Sequence, residues 1–200
     1  MRASMERLPL ATNPVTERNL PSQGRWRDED YLGFTDHARR LVEFTDGCIE
    51  KLPVPTDRHH RVLGELYRLF FAWLGDSGVV HFAGVRLRIR EGKYREPDLL
   101  LLCDRTDGRR QNRFWLGADL VMEVVSPDDP NRDWITKRAD YAEAGIPEYW
   151  IVDPIAEAIT VLELDGPAYA EHGAFGLNAR ATSPLLPGFA VDVAALFQSD

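Results

Sequence analysis

The chemistry in this 200-residue chain starts with carboxylates placed where carboxylates are costly. Glu123 interrupts the run Leu120-Val121-Met122-Glu123-Val124-Val125, which otherwise has the composition of a strand covered on both faces. An ionised carboxylate buried there needs a compensating partner. Asp98 heads a second apolar run, Leu99 to Leu102, directly after Pro97. If the two strands are neighbours, both side chains converge on one point. Two convergent carboxylates plus water form the hard oxygen set that Mg²⁺ or Mn²⁺ takes. Each residue also has a plainer explanation alone: Asp98 opens a strand after a turn, and Glu123 partners a buried arginine.

Asp133, Lys137 and Tyr141 recur every four residues in the segment after the Glu123 run, so on a helix they share one face. As a surface feature the Asp–Lys pair contributes a few tenths of a kcal/mol. Aimed at the carboxylate pair, Lys137 becomes the cation that orients an attacking water and offsets charge on a pentavalent phosphate, with Asp133 holding the lysine in place. His59 lies three residues before the apolar stripe of the first long helix, at the edge of its buried face. It is either a satisfied structural histidine or a group for proton transfer or substrate contact. Glu43 lies in a strand whose other face carries Val42 and Phe44. Tyr149 and Trp150 read as core packing.

The elements that must position these groups are legible from periodicity. Leu41–Phe44 and Cys48–Leu52 flank Asp46-Gly47, the signal for a tight β-hairpin. Val62, Leu63, Leu66, Leu69, Phe70, Trp73 and Leu74 form one apolar stripe on a helix of about four to five turns, with Asp57 as N-cap and Gly75 as stop. Strand-like runs follow at 79–89, 98–103 and 119–125. A helix over about 131–144 is entered through Asp129-Pro130 and closed by Gly145. Strands at 147–153 and 158–164 come next, and the tail from Pro184 is irregular with a short final apolar segment. This order predicts an α/β protein, a mixed β-sheet flanked by helices with an N-terminal β-hairpin. Residues 1–25, polar and proline-bearing, predict a poorly ordered arm, and 26–200 a single domain.

Composition sets the outer bounds. An apolar fraction of 44 % and a charged fraction of 28 % are those of an ordinary globular chain. Cys48 and Cys103 lack metal-type spacing, no apolar leader opens the chain, and no stretch reaches the length of a membrane span, so a cytoplasmic protein is expected. The net charge of −8 disfavours tight metal-free binding to nucleic acid. Two basic runs stand against it: Arg86, Arg88, Arg90, Lys93 and Arg95, then Arg105, Arg109, Arg110 and Arg113.

Pro97-Asp98 followed by Glu123-Val124-Val125 resembles the PD-(D/E)XK nuclease signature. The chain more closely resembles the Uma family of restriction endonucleases. That likeness rests on Glu43 with Asp46-Gly47, His59, Pro97-Asp98, Glu123-Val124-Val125-Ser126-Pro127, the Asp133/Lys137/Tyr141 helix face, and Gly145-Ile146-Pro147-Glu148-Tyr149-Trp150. It implies a restriction-endonuclease-like fold and a metal-dependent endonuclease acting on DNA. The implied roles are Asp98 and Glu123 as ligands of Mg²⁺ or Mn²⁺, Asp98, Glu123 and Lys137 as catalytic residues, and Glu43, His59, Asp133 and Tyr141 as accessory ones. A homodimer fits the habits of restriction-type enzymes. One position departs from the broader signature: Val125 stands where its lysine belongs, and the resemblance implies that Lys137 has taken over from the helix. Two alternatives remain open, a catalytically silent member that binds nucleic acid or protein, and a metal hydrolase for another substrate. Ser126-Pro127 has no nucleophile elbow and gives no support to a serine hydrolase.

Overall fold

A computed structural model describes residues 20–38 and 40–198, so most of the arm expected over residues 1–25 lies outside the described residues. The chain opens with α1 (Asp28–Thr35), then the hairpin β1 (Val42–Thr45) and β2 (Cys48–Lys51), whose turn puts Asp46 and Gly47 at positive φ as expected. The long helix α2 runs Asp57–Leu74 and ends at Gly75 with φ +53°. Its cap is Thr56, one residue before the expected Asp57. The Thr56 hydroxyl accepts the His59 N–H at 3.2 Å, leaving Asp57 in the first turn, where its charge favours the helix dipole.

The run read as one strand over 79–89 is two: β3 (Val79–Phe82) and β4 (Leu87–Arg90), which belong to different sheets. Gly84, at φ +99°, takes the chain out of the extended conformation between them. Then come β5 (Lys93–Arg95), β6 (Leu99–Leu102) and β7 (Leu120–Val124). The expected helix over 131–144 forms, but its first half, Arg132–Lys137, is wound as a π-helix before the α-helix α3 (Arg138–Glu143). The remaining elements are β8 (Glu148–Asp153), β9 (Ala158–Asp165), β10 (Ala168–Phe175), β11 (Arg180–Thr182), β12 (Ala190–Asp192) and α4 (Val193–Gln198). The tail read as irregular from Pro184 therefore carries a strand and a helix.

Six strands form one mixed sheet in the order β10-β9-β8-β7-β6-β3, in which β7 and β8 are parallel and the other neighbours antiparallel. Alternation along β7 splits its side chains between two cores. Leu120, Met122 and Val124 pack with the stripe of α2 and with Leu196 and Phe197 of α4. Val121 and Val125 face the other way, with Tyr141 and Tyr149. A second sheet, β2-β1-β5-β4, buries Val42, Phe44 and Tyr94 against Trp26, Tyr31 and Leu32. Among the described residues no helix is long and apolar enough to cross a membrane.

Candidate active site

The carboxylates meet because of register. In the antiparallel pair of β6 and β7, Leu99 lies opposite Met122. One step further along the same register, Asp98 lies opposite Glu123, on the face that carries Val121 and Val125. Directly opposed residues share a face with Cβ atoms about 4.5–5.5 Å apart. The pairing also fixes Asp98 from the other strand: Oδ2 accepts the Val124 N–H at 2.8 Å.

His59 projects from the first turn of α2, and its Nε2 meets the same Oδ2 at 3.0 Å. With Asp98 ionised, Nε2–H is the donor. Oδ1 of Asp98 has no hydrogen-bond partner among the described residues, and the side chain keeps 19 % exposure. His59 Nδ1 is buried without a hydrogen-bond partner among the described residues. Burial pushes the Asp98 carboxyl up, but the His59 hydrogen bond and the nearby Lys137 outweigh it and hold the group below the usual range.

Glu123 is 1 % exposed and fully engaged. Lys137 Nζ lies 2.6 Å from Oε2, and the Tyr141 hydroxyl donates to Oε1. Asp133 Oδ1 is 3.2 Å from the same Nζ. The face Asp133–Lys137–Tyr141 is therefore turned toward the strand end rather than to solvent. Lys137 Nζ reaches the Glu123 carboxylate from the helix, while Val125 is buried in the apolar core on that face.

The charges are unevenly balanced. Burial raises the Glu123 carboxyl well above its ordinary value, opposed by Lys137 and reinforced by Asp98, Asp133 and Glu43. Asp133 is raised for the same reasons. Burial would lower Lys137, yet Glu123, Glu43, Asp133 and Asp98 together raise it, so the ammonium keeps its proton.

Glu43, on the strand face opposite Val42 and Phe44, does not point to solvent; it is 1 % exposed. Its Oε2 lies 2.5 Å from Arg132 Nη2, and its Oε1 accepts the Glu96 N–H at 3.2 Å. Arg132 also holds Glu50 at 2.5 Å, while Arg95 Nη2 holds Asp140 at 2.6 Å with its Nε 3.6 Å from Glu43. Lys93 extends the chain to Asp140 at 2.8 Å and Glu143 at 2.7 Å. This ionic ladder ties the four-stranded sheet to the helix that carries Lys137. Of the first basic run, Lys93 and Arg95 belong to this ladder and Arg90 joins it at Glu143, while Arg86 pairs with Asp36 and Arg88 has no carboxylate partner among the described residues. Sequence reasoning missed Arg132 and Asp140. The α-helical spacing that grouped 133, 137 and 141 leaves out 132, and π winding, with its i→i+5 repeat, has no composition signal.

The three groups open onto a cavity of about 350 Å³, walled by Leu52–Pro55 on one side and Ser126–Asp129 on the other. Its inner surface carries Asp98, Glu123, Asp133, Lys137, His59 and Arg132.

The Uma2 family, described as "Putative restriction endonuclease", matches residues 28–194. The chain belongs to the Uma2 family. This agrees with the resemblance drawn from Pro97-Asp98 and the later motifs. Among curated proteins none matches the chain. The crystal structure of "a putative nuclease belonging to DUF820" from Anabaena variabilis superposes with a TM-score of 0.72 at 15 % identity, covering 86 % of this chain and 97 % of that one. That likeness shows the fold, and the restriction-endonuclease-like α/β architecture of this Uma2 member agrees with the expectation from sequence.

Proposed function

We propose that this Uma2 protein is a metal-dependent endonuclease that hydrolyses phosphodiester bonds in DNA, with Asp98 and Glu123 holding Mg²⁺ or Mn²⁺ and Lys137 as the third catalytic residue. The observation that carries this reading is the convergence of all three on one cavity from two strands and a helix. The donor set suits a hard cation: two carboxylates on one face, an uncommitted Oδ1 on Asp98, and a Glu123 whose carboxyl is raised by burial and further by the carboxylates around it. Among the described residues no three His, Cys, Asp or Glu side chains cluster as a metal cage, so water would complete the coordination, as is usual for Mg²⁺.

The metal, when bound, supplies Lewis acidity and charge neutralisation at the phosphoryl oxygens. The chain's own residues supply the rest. Lys137, held protonated, acts as a fixed cation and not as a base. Two of its three donors point to Glu123 and Asp133, and the third is left for a water or a phosphoryl oxygen. Tyr141 and Asp133 fix the Glu123–Lys137 pair, and His59 fixes Asp98 so that Oδ1 stays open. Such preorganised charge stabilises the phosphorane-like transition state without reorganisation during the step.

A second reading, a silent nucleic-acid-binding or protein-interaction module, is favoured by one observation. Both oxygens of Glu123 are already engaged within the protein. Nicking of supercoiled plasmid in Mg²⁺ or Mn²⁺, with chelator and an RNA of the same length as controls, separates the two. Chelator-sensitive nicking of DNA that is lost in Asp98→Ala, Glu123→Ala and Lys137→Ala supports the endonuclease. Activity surviving all three changes refutes the mechanism. No nicking with either metal supports the silent module.

A further inference from the structure

The second basic run contributes to a different place. The loop between β6 and β7 and the β3–β4 turn together line an open concavity of about 470 Å³, in which Arg105 and Arg110 are exposed. Its lining includes Arg86, Arg105, Arg110, Arg113, Gln111 and Asn112, the tilted ring pair His81 and Trp115, and one carboxylate, Asp107, which is held by Arg109 at 2.6 Å. Arg86 and Arg113 share Asp36, at 2.9 and 3.0 Å, and Arg113 also meets Glu29 at 3.1 Å. Arg105 and Arg110 have no carboxylate partner among the described residues. Their guanidiniums reach only main-chain carbonyls, of Asp76 at 3.4 Å and of Arg105 at 3.3 Å. Their forks thus retain most of their donors, beside two side-chain amides.

This cavity and the catalytic one border a common groove. The groove, of about 400 Å³, shares Leu41 and Leu52–Pro55 with the catalytic cavity and Gly84 and Arg86 with the basic one. The path is apolar along the proline-bearing segment and cationic at its far end. Such a surface suits a strand whose sugars and bases lie over the apolar part while a phosphate further along is gripped.

We propose that the basic cavity is an anchoring subsite for the phosphodiester backbone of the nucleic acid that the catalytic cavity cuts, with Arg105 and Arg110 as its phosphate-binding residues. The assignment of the substrate rests on the nuclease reading above. The anchoring is independent of cleavage. It gives an acidic protein local grip on a polyanion while the overall charge keeps metal-free binding weak. It also gives the active site a register, because a phosphate fixed at one end of the path sets which phosphodiester reaches Lys137.

The test is fluorescence anisotropy of a labelled oligonucleotide duplex against salt concentration, in the cleavage-inactive Asp98→Asn background with and without Arg105→Gln/Arg110→Gln. Each lost phosphate contact lowers the slope of log K against log salt by about one, and lowers affinity about eightfold at 0.1 M salt relative to 1 M. The double change is therefore expected to weaken binding by roughly 60-fold at 0.1 M salt and to flatten the slope by about two units. Thermal melting should stay close to the parent, because neither side chain holds a carboxylate. Unchanged affinity and slope with intact folding overturn the proposal. So does tight binding of inorganic phosphate that depends on both arginines while the oligonucleotide is indifferent to them, since the pocket then serves a free anion. Cleavage by the unmodified chain is scored separately. A chain that cuts nothing yet loses duplex binding through these arginines refutes the nuclease reading and leaves the anchoring subsite standing.

Discussion

Replacing Lys137 by methionine removes the one cation that, among the described residues, pairs with the Glu123 carboxylate, and leaves a methyl group in its place. Glu123 is 1 % exposed and Lys137 5 %, their closest approach is 2.6 Å, and Asp98, Asp133 and Glu43 all add negative charge around the carboxylate. Removing one partner of a buried pair costs about 3–5 kcal/mol, a large share of the roughly 5–15 kcal/mol of a whole domain. For a domain of this size that is a fall in Tm of about 6–20 °C. The loss depends on pH in a definite direction. Without its lysine, the Glu123 carboxyl rises further above the unfolded value of 4.5 and takes up a proton in the folded state. A raised folded value gives stability that is present below the unfolded pKa and lost as pH rises through the folded one. The deficit of Lys137→Met is therefore smallest near pH 4.5 and largest above neutrality. The double variant Lys137→Met/Glu123→Gln buries no charge in the pair and should recover most of the loss. Urea unfolding of the four proteins of the cycle, at pH 5 and pH 8 in chelator, measures all of this. A single variant within about 1 kcal/mol of the parent at pH 8, or a double variant as damaged as the single, refutes the buried-pair reasoning.

Other outcomes follow from the same contacts. Tyr141→Phe leaves Glu123 Oε1 without its donor, and should lower stability by about 1–3 kcal/mol in denaturant melts without disturbing the fold by circular dichroism. His59→Gln removes the largest influence holding the Asp98 carboxyl down. The acid limb of Mn²⁺ binding, followed by calorimetry, should move to higher pH. Glu96 is 4 % exposed with Oε2 unpartnered among the described residues, and burial and Glu43 push its carboxyl up to about 7. Its contribution to stability is lost as pH rises from 4.5 through about 7, so Glu96→Gln should be the more stable protein at pH 8, by on the order of 2 kcal/mol, and not at pH 4.5.

Asp98 and Glu123 were legible in the sequence because a charge inside an apolar run is expensive whatever the fold. The register of β6 on β7 then accounts for both positions at once. The stripe of α2 and the Asp-Gly hairpin were equally plain, since each is set by local periodicity or turn chemistry. β10 was not: of Ala168–Phe175 only Tyr169 is buried, so an edge strand of alanine, glycine and histidine shows no alternation. β5 is only three residues long, too short for a pattern. Glu43 looked ambiguous because its burial comes from Arg132 and Arg95, distant in sequence and brought in by the second sheet. The same long-range pairing hid the fate of Arg90, Lys93 and Arg95 in the first basic run, which reach Glu143 and Asp140 on the helix.

In the endonuclease proposed above, Asp98 takes part directly in phosphodiester hydrolysis. The most direct measurement is the single-turnover rate of plasmid nicking in saturating Mg²⁺ by the parent and by Asp98→Asn, a change that keeps the shape and a carbonyl oxygen but removes the charge. The account predicts a fall of roughly a hundredfold or more with the melting profile preserved. A nicking rate within a few-fold of the parent would contradict it.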